Sequence, residues 1–386
     1  MRFLHLADLH LGKSLGQFSL IEDQTYMLQQ ICTIARREHV SALLIAGDIF
    51  DRSQPPLEAV HLLDRFLTEL VRQHIALFMI SGNHDSGVRL AFGSEIFQSS
   101  DLCIVSRFEG QIPSLLWPRE NPVVRIHLLP FLRRDELRRY CTDEDAAQLD
   151  TAELLRRLLE RQKPPQEGLP QILLAHLWVA SSSLLLSDSE NTLLGSVESV
   201  PKSLFEAYDY VALGHLHRPQ NVDEKLRYAG SPLAYSASET GQPKSLTLLE
   251  LQDGKLEQKK KKIELKPLHP VLRLRGPLDE LLARSRKDPT WAGEAYVYVE
   301  LTDFPPPHHA LQRLEAVFPR LVQLSFVRLK DDGGSAADSE SVVGNIRQDP
   351  EALFAAFYRE EQGRELSAWQ KEKLHEVFVE AAGEER

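Results

Sequence analysis

The stretch ALLIAGDIFD at residues 42–51 sets the type of fold, because a run of apolar residues ends there at a glycine and an aspartate. Ala42–Ala46 predicts a strand that is buried on both faces. Gly47 allows a tight turn, and it leaves Asp48 at the carboxyl edge of the strand. Open α/β sheets bind their ligands at this edge. Asp48 is therefore the first candidate for a functional residue.

Short apolar runs alternate with amphipathic helical stretches through the first 265 residues. This rhythm predicts a largely parallel sheet covered by helices, followed by a second, more antiparallel sheet where helices become scarce. The predicted strands are Arg2–Ala7, Ala42–Ala46, Ile75–Ile80, Val123–Leu129, Gln171–Ala175, Tyr210–Leu213, Arg227–Ala229, Ser245–Leu251 and Leu256–Leu265. The predicted helices are Glu22–Glu38 and Leu57–Gln73, with a charged helical stretch over Asp135–Arg161.

Residues of the type that bind metals follow five of these strands: Asp8, His10, Asp48, Asn83, His176, His215 and His217, with His84 next to Asn83. In extended backbone, residues i and i+2 point to the same side, so each of the two i, i+2 pairs can reach one cation. Histidine, aspartate and asparagine without a thiolate favour manganese, iron or zinc over calcium. Seven ligands exceed the needs of one ion, so the set predicts two divalent cations that share a bridging carboxylate.

Each of these fragments carries little information alone. An Asp-x-His or His-x-His pair usually arises by chance, and a single histidine in an apolar strand, such as His176, is usually a hydrogen-bonded core residue. The assembled set is different, because burying so many unpaired polar groups at strand ends without a metal would be costly. The set as a whole therefore favours a metal site.

Composition sets the class of protein. The chain has 386 residues, which favours two or more domains, and a net charge of -11, which argues against bulk nucleic-acid binding but allows a local basic groove. Three cysteines without a CxxC spacing favour a reducing cytoplasm. The sequence shows neither a signal peptide nor an apolar run that could cross a membrane, so we expect no membrane association.

Beyond residues 1–265, the pattern predicts a small α+β module over 266–330 and a polar linker over 331–341. The module should contain the strands Val271–Leu274, Ala295–Leu301 and Leu321–Leu329 and the helix Pro306–Val317. Residues 342–386 predict two amphipathic helices, one starting at Asp349 and Pro350 and one with a capping box of Ser367 and Gln370. These helices either fold back on the body or dock on a partner.

The motifs DLH, GDIFD, GNHD, AHL and GHLH, in this order, resemble the calcineurin-like metallophosphoesterases. The resemblance implies a four-layer αββα sandwich with two divalent cations, Mn²⁺ foremost. It implies one cation held by Asp8, His10, Asp48 and His217, and a second held by Asp48, Asn83, His176 and His215. It also implies that His84 faces the substrate phosphate and assists the leaving oxygen, and that Asp51 orients His84.

The stretches DLHLGKSL, GDIFDRSQPP, GNHDSGVRL, YDYVALGHLHRPQ and RYAGSPLAYS are similar to bacterial DNA nucleases of the SbcD type. This implies Mn-dependent 3′–5′ exonuclease activity and, with an SbcC-type SMC-like ATPase, endonuclease activity on hairpins or blocked ends in DNA repair and recombination. The α+β module would be a DNA-capping domain, and the terminal helices would dock the ATPase. A homodimer within a heterotetramer and a cytoplasmic, nucleoid-associated location are also implied.

Basic residues close to the motifs are the candidates for DNA contacts: Arg52, Arg89, Arg133 and Arg134. The run Lys259–Lys262 favours solvated surface, because side chains on a strand alternate between faces. Two alternatives are a phosphodiesterase or phosphatase for small molecules, which would not need the chain beyond Pro267, and a non-catalytic scaffold, which would not need the complete ligand set.

Overall fold

The structure is a computed structural model. It describes residues 1–327 apart from 142, 144, 163, 165–167, 181–183, 186–198, 258–259 and 289–290. Beyond residue 327 it describes 354, 358–359, 365–371 and 373–375. No helix among these residues is long and apolar enough to span a membrane.

Strands and helices are numbered in chain order. The strands are β1 Arg2–Leu6, β2 Ser14–Leu15, β3 Phe18–Ser19, β4 Ala42–Ala46, β5 Ala76–Ile80, β6 Leu102–Val105, β7 Ser114–Trp117, β8 Val124–Leu129, β9 Gln171–His176, β10 Val179–Ala180, β11 Val200–Pro201, β12 Tyr210–Gly214, β13 Gln220–Asn221, β14 Leu226–Tyr228, β15 Ser245–Gln252, β16 Lys255–Leu256, β17 Lys261–Glu264, β18 Val271–Gly276, β19 Tyr296–Leu301 and β20 Leu321–Phe326. The helices are α1 Ile21–Arg37, α2 Leu57–Arg72, α3 Gly87–Leu90, α4 Ser94–Phe97, α5 Arg134–Tyr140, α6 Thr151–Arg161, α7 Leu278–Lys287 and α8 Ala310–Glu315.

Two sheets pack face to face. A seven-stranded sheet runs in the order β16-β15-β1-β4-β5-β6, with β17 also paired to β15, and a six-stranded sheet runs β13-β14-β12-β9-β8-β7. Strand β4 is buried throughout, because Leu44 points into the apolar layer between the sheets and Leu43 points toward the helices. Helices α1 and α2 cover the outer face of the first sheet, and α5 and α6 cover that of the second. The expected αββα sandwich is confirmed.

The second sheet differs from the expectation of a more antiparallel arrangement. Its four central strands are parallel, β14 with β12, β12 with β9 and β9 with β8, and only the edge strands β13 and β7 run antiparallel. Strand β15 instead joins the first sheet, antiparallel to β1. The scarcity of helices did not predict the strand directions correctly. The connection from β12 to β14 contains only the short edge strand β13, yet β14 runs parallel to β12.

The chain from β18 to β20 forms a third, smaller sheet. Strands β18, β19 and β20 are parallel, and α7 and α8 provide the crossovers between them. Their apolar side chains form a separate core around Val297, Leu314 and Phe318. The sequence pattern did not predict α7, although Pro277 at its start and Asp279 with Glu280 in its first turn are ordinary helix-start signals.

The chain consists of two compact units, Met1–Phe326 and Val327–Arg386. Within the second unit the predicted capping box at Ser367 and Gln370 is present, with the Ser367 N–H 2.9 Å from the Gln370 amide oxygen. The predicted helix start at Asp349 and the linker 331–341 lie outside the described residues. The boundaries 1–265, 266–330, 331–341 and 342–386 remain predictions.

Candidate metal centre

The candidate ligands meet because the loops that carry them are tied to one another by backbone hydrogen bonds. The N–H of Asp8 donates to the Gly47 carbonyl at 3.0 Å, and the N–H of His10 donates to the Asp48 carbonyl at 2.9 Å. The N–H of His215 donates to Asp8 Oδ1 at 2.9 Å. The carboxyl ends of β1, β4 and β12 are thereby joined at one edge of the sandwich.

The backbone is strained where these strand ends meet. Asp8, His10, Asp48 and His215 all have positive φ, at 55°, 43°, 50° and 102°. Such conformations cost about 1–3 kcal/mol each in residues other than glycine and concentrate at functional sites. The expectation that Asp8 and His10 share a side because they are extended was therefore wrong in its reason. A left-handed loop, not the strand, brings their side chains together.

Two groups of donor atoms share the carboxylate of Asp48. On one side, His10 Nε2 lies 3.6 Å from Asp48 Oδ2 and 3.1 Å from His217 Nε2. On the other side, His176 Nε2 lies 3.4 Å from the same Oδ2 and 2.9 Å from Asn83 Oδ1. His215 belongs to the second group, because its Nδ1 lies 3.2 Å from Asn83 Oδ1. The structure thus brings all seven candidate ligands together, with Asp8 beside His215 and His176.

This arrangement fits cations better than it fits an internally satisfied polar core. Asp8 Oδ2 and His10 Nδ1 are buried and make no hydrogen bond. His176 donates from Nδ1 to the Ala46 carbonyl at 2.8 Å, so in the neutral ring that binds a metal the lone pair is on Nε2, which faces Asp48 and Asn83. A buried carboxylate oxygen without a hydrogen bond is costly, and a metal ion beside Asp8 would satisfy its Oδ2. His10 Nδ1 faces the Asp51 carboxylate at 3.6 Å, so Nε2 is the nitrogen that faces the donor group.

The electrostatics of the site point the same way. Burial raises the pKa of Asp8 to about 7 and lowers the pKa of His10 to about 4 and that of His215 to about 3. Burial also opposes the ionisation of Asp48 and of His176, but the attraction between the carboxylate and the imidazolium outweighs the effect of burial on both. The pKa of Asp48 therefore lies well below its usual range, and that of His176 rises to about 9. The described residues of the site therefore stabilise one ionised carboxylate, that of Asp48, but not that of Asp8 as well. Divalent cations would supply the positive charge that the second carboxylate needs.

His84 lies beside the first group, with its ring centre 4.8 Å from that of His10. Its Nδ1 lies 2.8 Å from the backbone carbonyl of Asp51. The Asp51 carboxylate contacts Lys13 Nζ at 2.7 Å and faces His10 Nδ1 at 3.6 Å. The orientation of His84 by Asp51 stays a prediction, and the contact that would provide it is the one from the Asp51 carbonyl.

Asp85 was not among the predicted site residues. Its carboxylate accepts from the backbone N–H groups of Ile49, Phe50 and Gly82 at 2.9–3.0 Å. These bonds tie the loop after β5 to the loop after β4, and so hold Asn83 and His84 near Asp48. The signal was available, because Asp85 is the last residue of GNHD, but the side chain binds backbone and not a ligand.

The four arginines proposed for DNA contacts differ in their surroundings. Arg133 and Arg134 line a cavity of about 530 Å³ that also includes Asn83 and His176. Arg133 is exposed, whereas Arg134 donates from Nε and Nη2 to the Leu149 carbonyl at 3.1 and 2.6 Å. Arg134 therefore supports the chain after α5. Arg52 and Arg89 are exposed, Arg52 in the loop that follows Asp48 and Arg89 in the short helix α3 that follows Asn83 and His84.

A family model for calcineurin-like phosphoesterases matches residues 1–219, which include all seven candidate ligands. The chain belongs to this family. Members of the family use divalent metals. A second family model, SbcD_C, described as the type 5 capsule protein repressor C-terminal domain, matches residues 267–362.

The chain is also 31% identical to the SbcD subunit of the SbcCD nuclease of Staphylococcus epidermidis over 383 residues, which cover 98% of each chain. It is thus a calcineurin-like phosphoesterase with an SbcD_C region. Solved structures that it resembles include a dimetal phosphatase from Danio rerio, at 14% identity over 69% of this chain and 99% of that one, with a TM-score of 0.38. Another is the protein TT1561 of Thermus thermophilus, at 12% identity over 68% and 98%, with a TM-score of 0.37.

Proposed function

We propose that this chain is a DNA nuclease that hydrolyses phosphodiester bonds with two divalent cations, Mn²⁺ foremost. The observation that carries the proposal is the position of Asp48 Oδ2, which lies 3.6 Å from His10 Nε2 and 3.4 Å from His176 Nε2 and so belongs to both donor groups. The match to a nuclease subunit along the whole chain supports DNA as the substrate.

One cation would be held by Asp8, His10, Asp48 and His217, and the other by Asp48, Asn83, His176 and His215. When bound, two cations at such a site polarise a phosphodiester and generate the nucleophile from water. The residues of this chain hold the ligand atoms in place before any cation arrives, since His176 is fixed by Ala46 and Asp8 by the N–H of His215.

His84 would act on the leaving oxygen and not as a ligand. A carbonyl oxygen can only accept, so the contact with Asp51 requires the proton on Nδ1 of His84. In the imidazolium form Nε2 then carries the proton that it can give to the departing 3′ oxygen. Arg52, Arg89 and Arg133 would contact backbone phosphates, because guanidinium groups match phosphate oxygens in geometry and charge.

For partners, we propose an SbcC-type ATPase, bound through residues 342–386, and a second copy of this chain. Exposed apolar side chains on α2 and in the α3–α4 region support a dimer: Leu57, Val60, Val88, Phe92 and Ile96. In this assembly, exonuclease activity from 3′ ends would not need ATP, whereas cleavage of hairpins or blocked ends would need the ATPase. We place this activity in DNA repair and recombination.

The test is to incubate the purified full-length chain with linear and hairpin DNA in Mn²⁺, in Mg²⁺ and in EDTA. We expect nucleotides to be released from linear DNA with Mn²⁺ and not with EDTA. Bis(p-nitrophenyl) phosphate serves as a small-molecule diester in parallel. Hydrolysis of this diester without any cleavage of DNA would replace the nuclease with a small-molecule phosphodiesterase.

A further inference from the structure

A buried ion pair lies behind the candidate ligand His217. Glu239 and Lys244 are 1% and 7% exposed, and their charged atoms, Oε2 and Nζ, are 2.5 Å apart. Both residues belong to the connection between β14 and β15, and Glu239 ends a single turn of 3₁₀ helix at Ala237–Glu239. Because burying two charges costs more than their attraction usually returns, a pair of this kind calls for an explanation beyond stability.

The pair holds His217 by both its ring and its backbone. Glu239 Oε1 lies 3.3 Å from His217 Nδ1, while Lys244 Nζ donates to the His217 carbonyl at 3.0 Å. Two serines join the network: Ser231 accepts from Lys244 at 2.9 Å and donates to the Leu233 carbonyl at 2.7 Å, and Ser236 donates to Glu239 Oε1 at 3.1 Å. His217 is thereby fixed at two points by residues that are themselves locked together.

The carboxylate decides which nitrogen of His217 is available to a cation. An ionised carboxylate only accepts hydrogen bonds, so the proton of a neutral His217 must sit on Nδ1. The lone pair is then left on Nε2, which lies 3.1 Å from His10 Nε2 in the first donor group. A ligand histidine that donates its other N–H to a carboxylate is both oriented and made a stronger donor.

We propose that Glu239 and Lys244 are a positioning pair that sets the tautomer and orientation of His217, and through it the affinity of the cation site that His217 shares with Asp8, His10 and Asp48. The inference rests on the assignment of His217 as a ligand under the proposed function. Lys244, with Nζ 2.5 Å from Glu239 Oε2, is the counter-charge that holds the buried carboxylate in place beside His217. Neither residue touches the substrate.

The test is calorimetric titration of the metal-free, full-length protein with Mn²⁺. In Glu239→Gln, the amide can offer either an oxygen or an N–H to His217, so it no longer selects one tautomer. We expect one of the two Mn²⁺ sites to weaken about 10–100-fold, the range typical of lost outer-shell partners, while the other keeps its affinity. Nitrogen-15 spectra of the histidine rings should show protonated Nδ1 in the parent and a tautomer mixture in the variant.

Asp23→Asn is the matched control. Asp23 is 2% exposed and lies 3.1 Å from His269 Nδ1 and 2.8 Å from the Tyr296 hydroxyl, so the same change of a buried carboxylate to an amide occurs beside a histidine outside the metal centre. Its Mn²⁺ affinities should equal those of the parent. If Glu239→Gln does not fold, Glu239→Asp carries the same expectation, because the shorter side chain withdraws the carboxylate from His217.

Three results would overturn the inference. Unchanged Mn²⁺ affinities in the folded Glu239 variant, while His217→Ala loses one site, would show that the pair does not act through His217. Equal weakening in Asp23→Asn would show a general loss of rigidity. Unchanged affinities in His217→Ala would remove His217 from the ligands, and would refute that part of the proposed function together with this inference.

Discussion

Several side chains of this site have two roles, one toward the proposed cations and one toward a neighbouring residue of the site. Asp48 faces both His10 and His176 through Oδ2, but its Oδ1 also accepts from the N–H of His84 at 3.0 Å. The residue proposed to bridge the cations therefore also positions the residue proposed to act on the substrate. The ligand types could be read from the sequence, whereas these second contacts could not. Asp51 contacts His84 through its backbone carbonyl, and the Asp85 carboxylate accepts from backbone N–H groups, and residue type does not encode either contact.

The first prediction is that His84→Ala retains two bound Mn²⁺ ions but loses nuclease activity. Without the group that protonates the leaving oxygen, the rate should fall about 10²–10⁴-fold. A continuous assay of nucleotide release and elemental analysis of the purified variant would check both parts. His61→Ala is the control, since His61 is exposed on α2. If His84→Ala loses metal, His84 is a ligand and not the group that acts on the leaving oxygen. Its donor atom lies within 4.8 Å of those of His10 and Asp48, so this outcome would be consistent with the geometry.

At the level of elements, the site depends on how closely the strand ends approach one another. A Cβ at Gly47 would lie 2.3 Å from His176 Nδ1, and one at Gly82 would lie 2.1 Å from Asp48 Oδ1. Only glycine leaves room for the ligands of the neighbouring strand. The glycine at the end of ALLIAG could be predicted to turn the chain, but the contact between Gly47 and His176 joins residues that are far apart in the sequence.

The second prediction is that Gly47→Ala weakens Mn²⁺ binding as well as lowering stability, because the added methyl group would collide with His176. Gly254→Ala is the matched control, because its φ of +73° resembles the +86° of Gly47 while nothing lies within 4 Å of the added methyl. Both variants should lose about 1–2 kcal/mol of stability from the left-handed conformation. Gly47→Ala should lose more than this in urea unfolding and should bind Mn²⁺ more weakly. Equal losses with unchanged binding in both variants would contradict the role of close packing.

For the whole molecule, local patterns predicted elements better than pairings. Strand β4 was predicted at its observed bounds, and the predicted ends of α1 and α2 are within one residue of those observed. The pairing of β15 with β1 was not predicted, since it joins Arg2 to Glu250 and leaves no mark on local periodicity. The parallel centre of the second sheet was missed for the same reason. The motifs identified the family despite these errors, because each motif follows a strand whose end lies at the candidate metal centre.

The third prediction concerns the chain beyond the α/β body. Deleting residues 342–386 should leave Mn-dependent nuclease activity intact, because all candidate ligands lie before residue 218. The deletion should abolish co-purification with the SbcC-type ATPase of the same organism. In the full-length chain, Trp369→Ala should weaken the association, since this indole is 66% exposed on a helical turn. Retained association of the deleted protein would refute the docking role.

The proposed chemistry depends on Asp48 being shared by two cations, and anomalous diffraction from crystals grown with Mn²⁺ can reveal whether it is. Data from either side of the manganese absorption edge locate the ions independently of the protein atoms. We expect two peaks, one among Asp8, His10, Asp48 and His217 and one among Asp48, Asn83, His176 and His215. A single peak, or two peaks that do not share Asp48, would contradict the proposal.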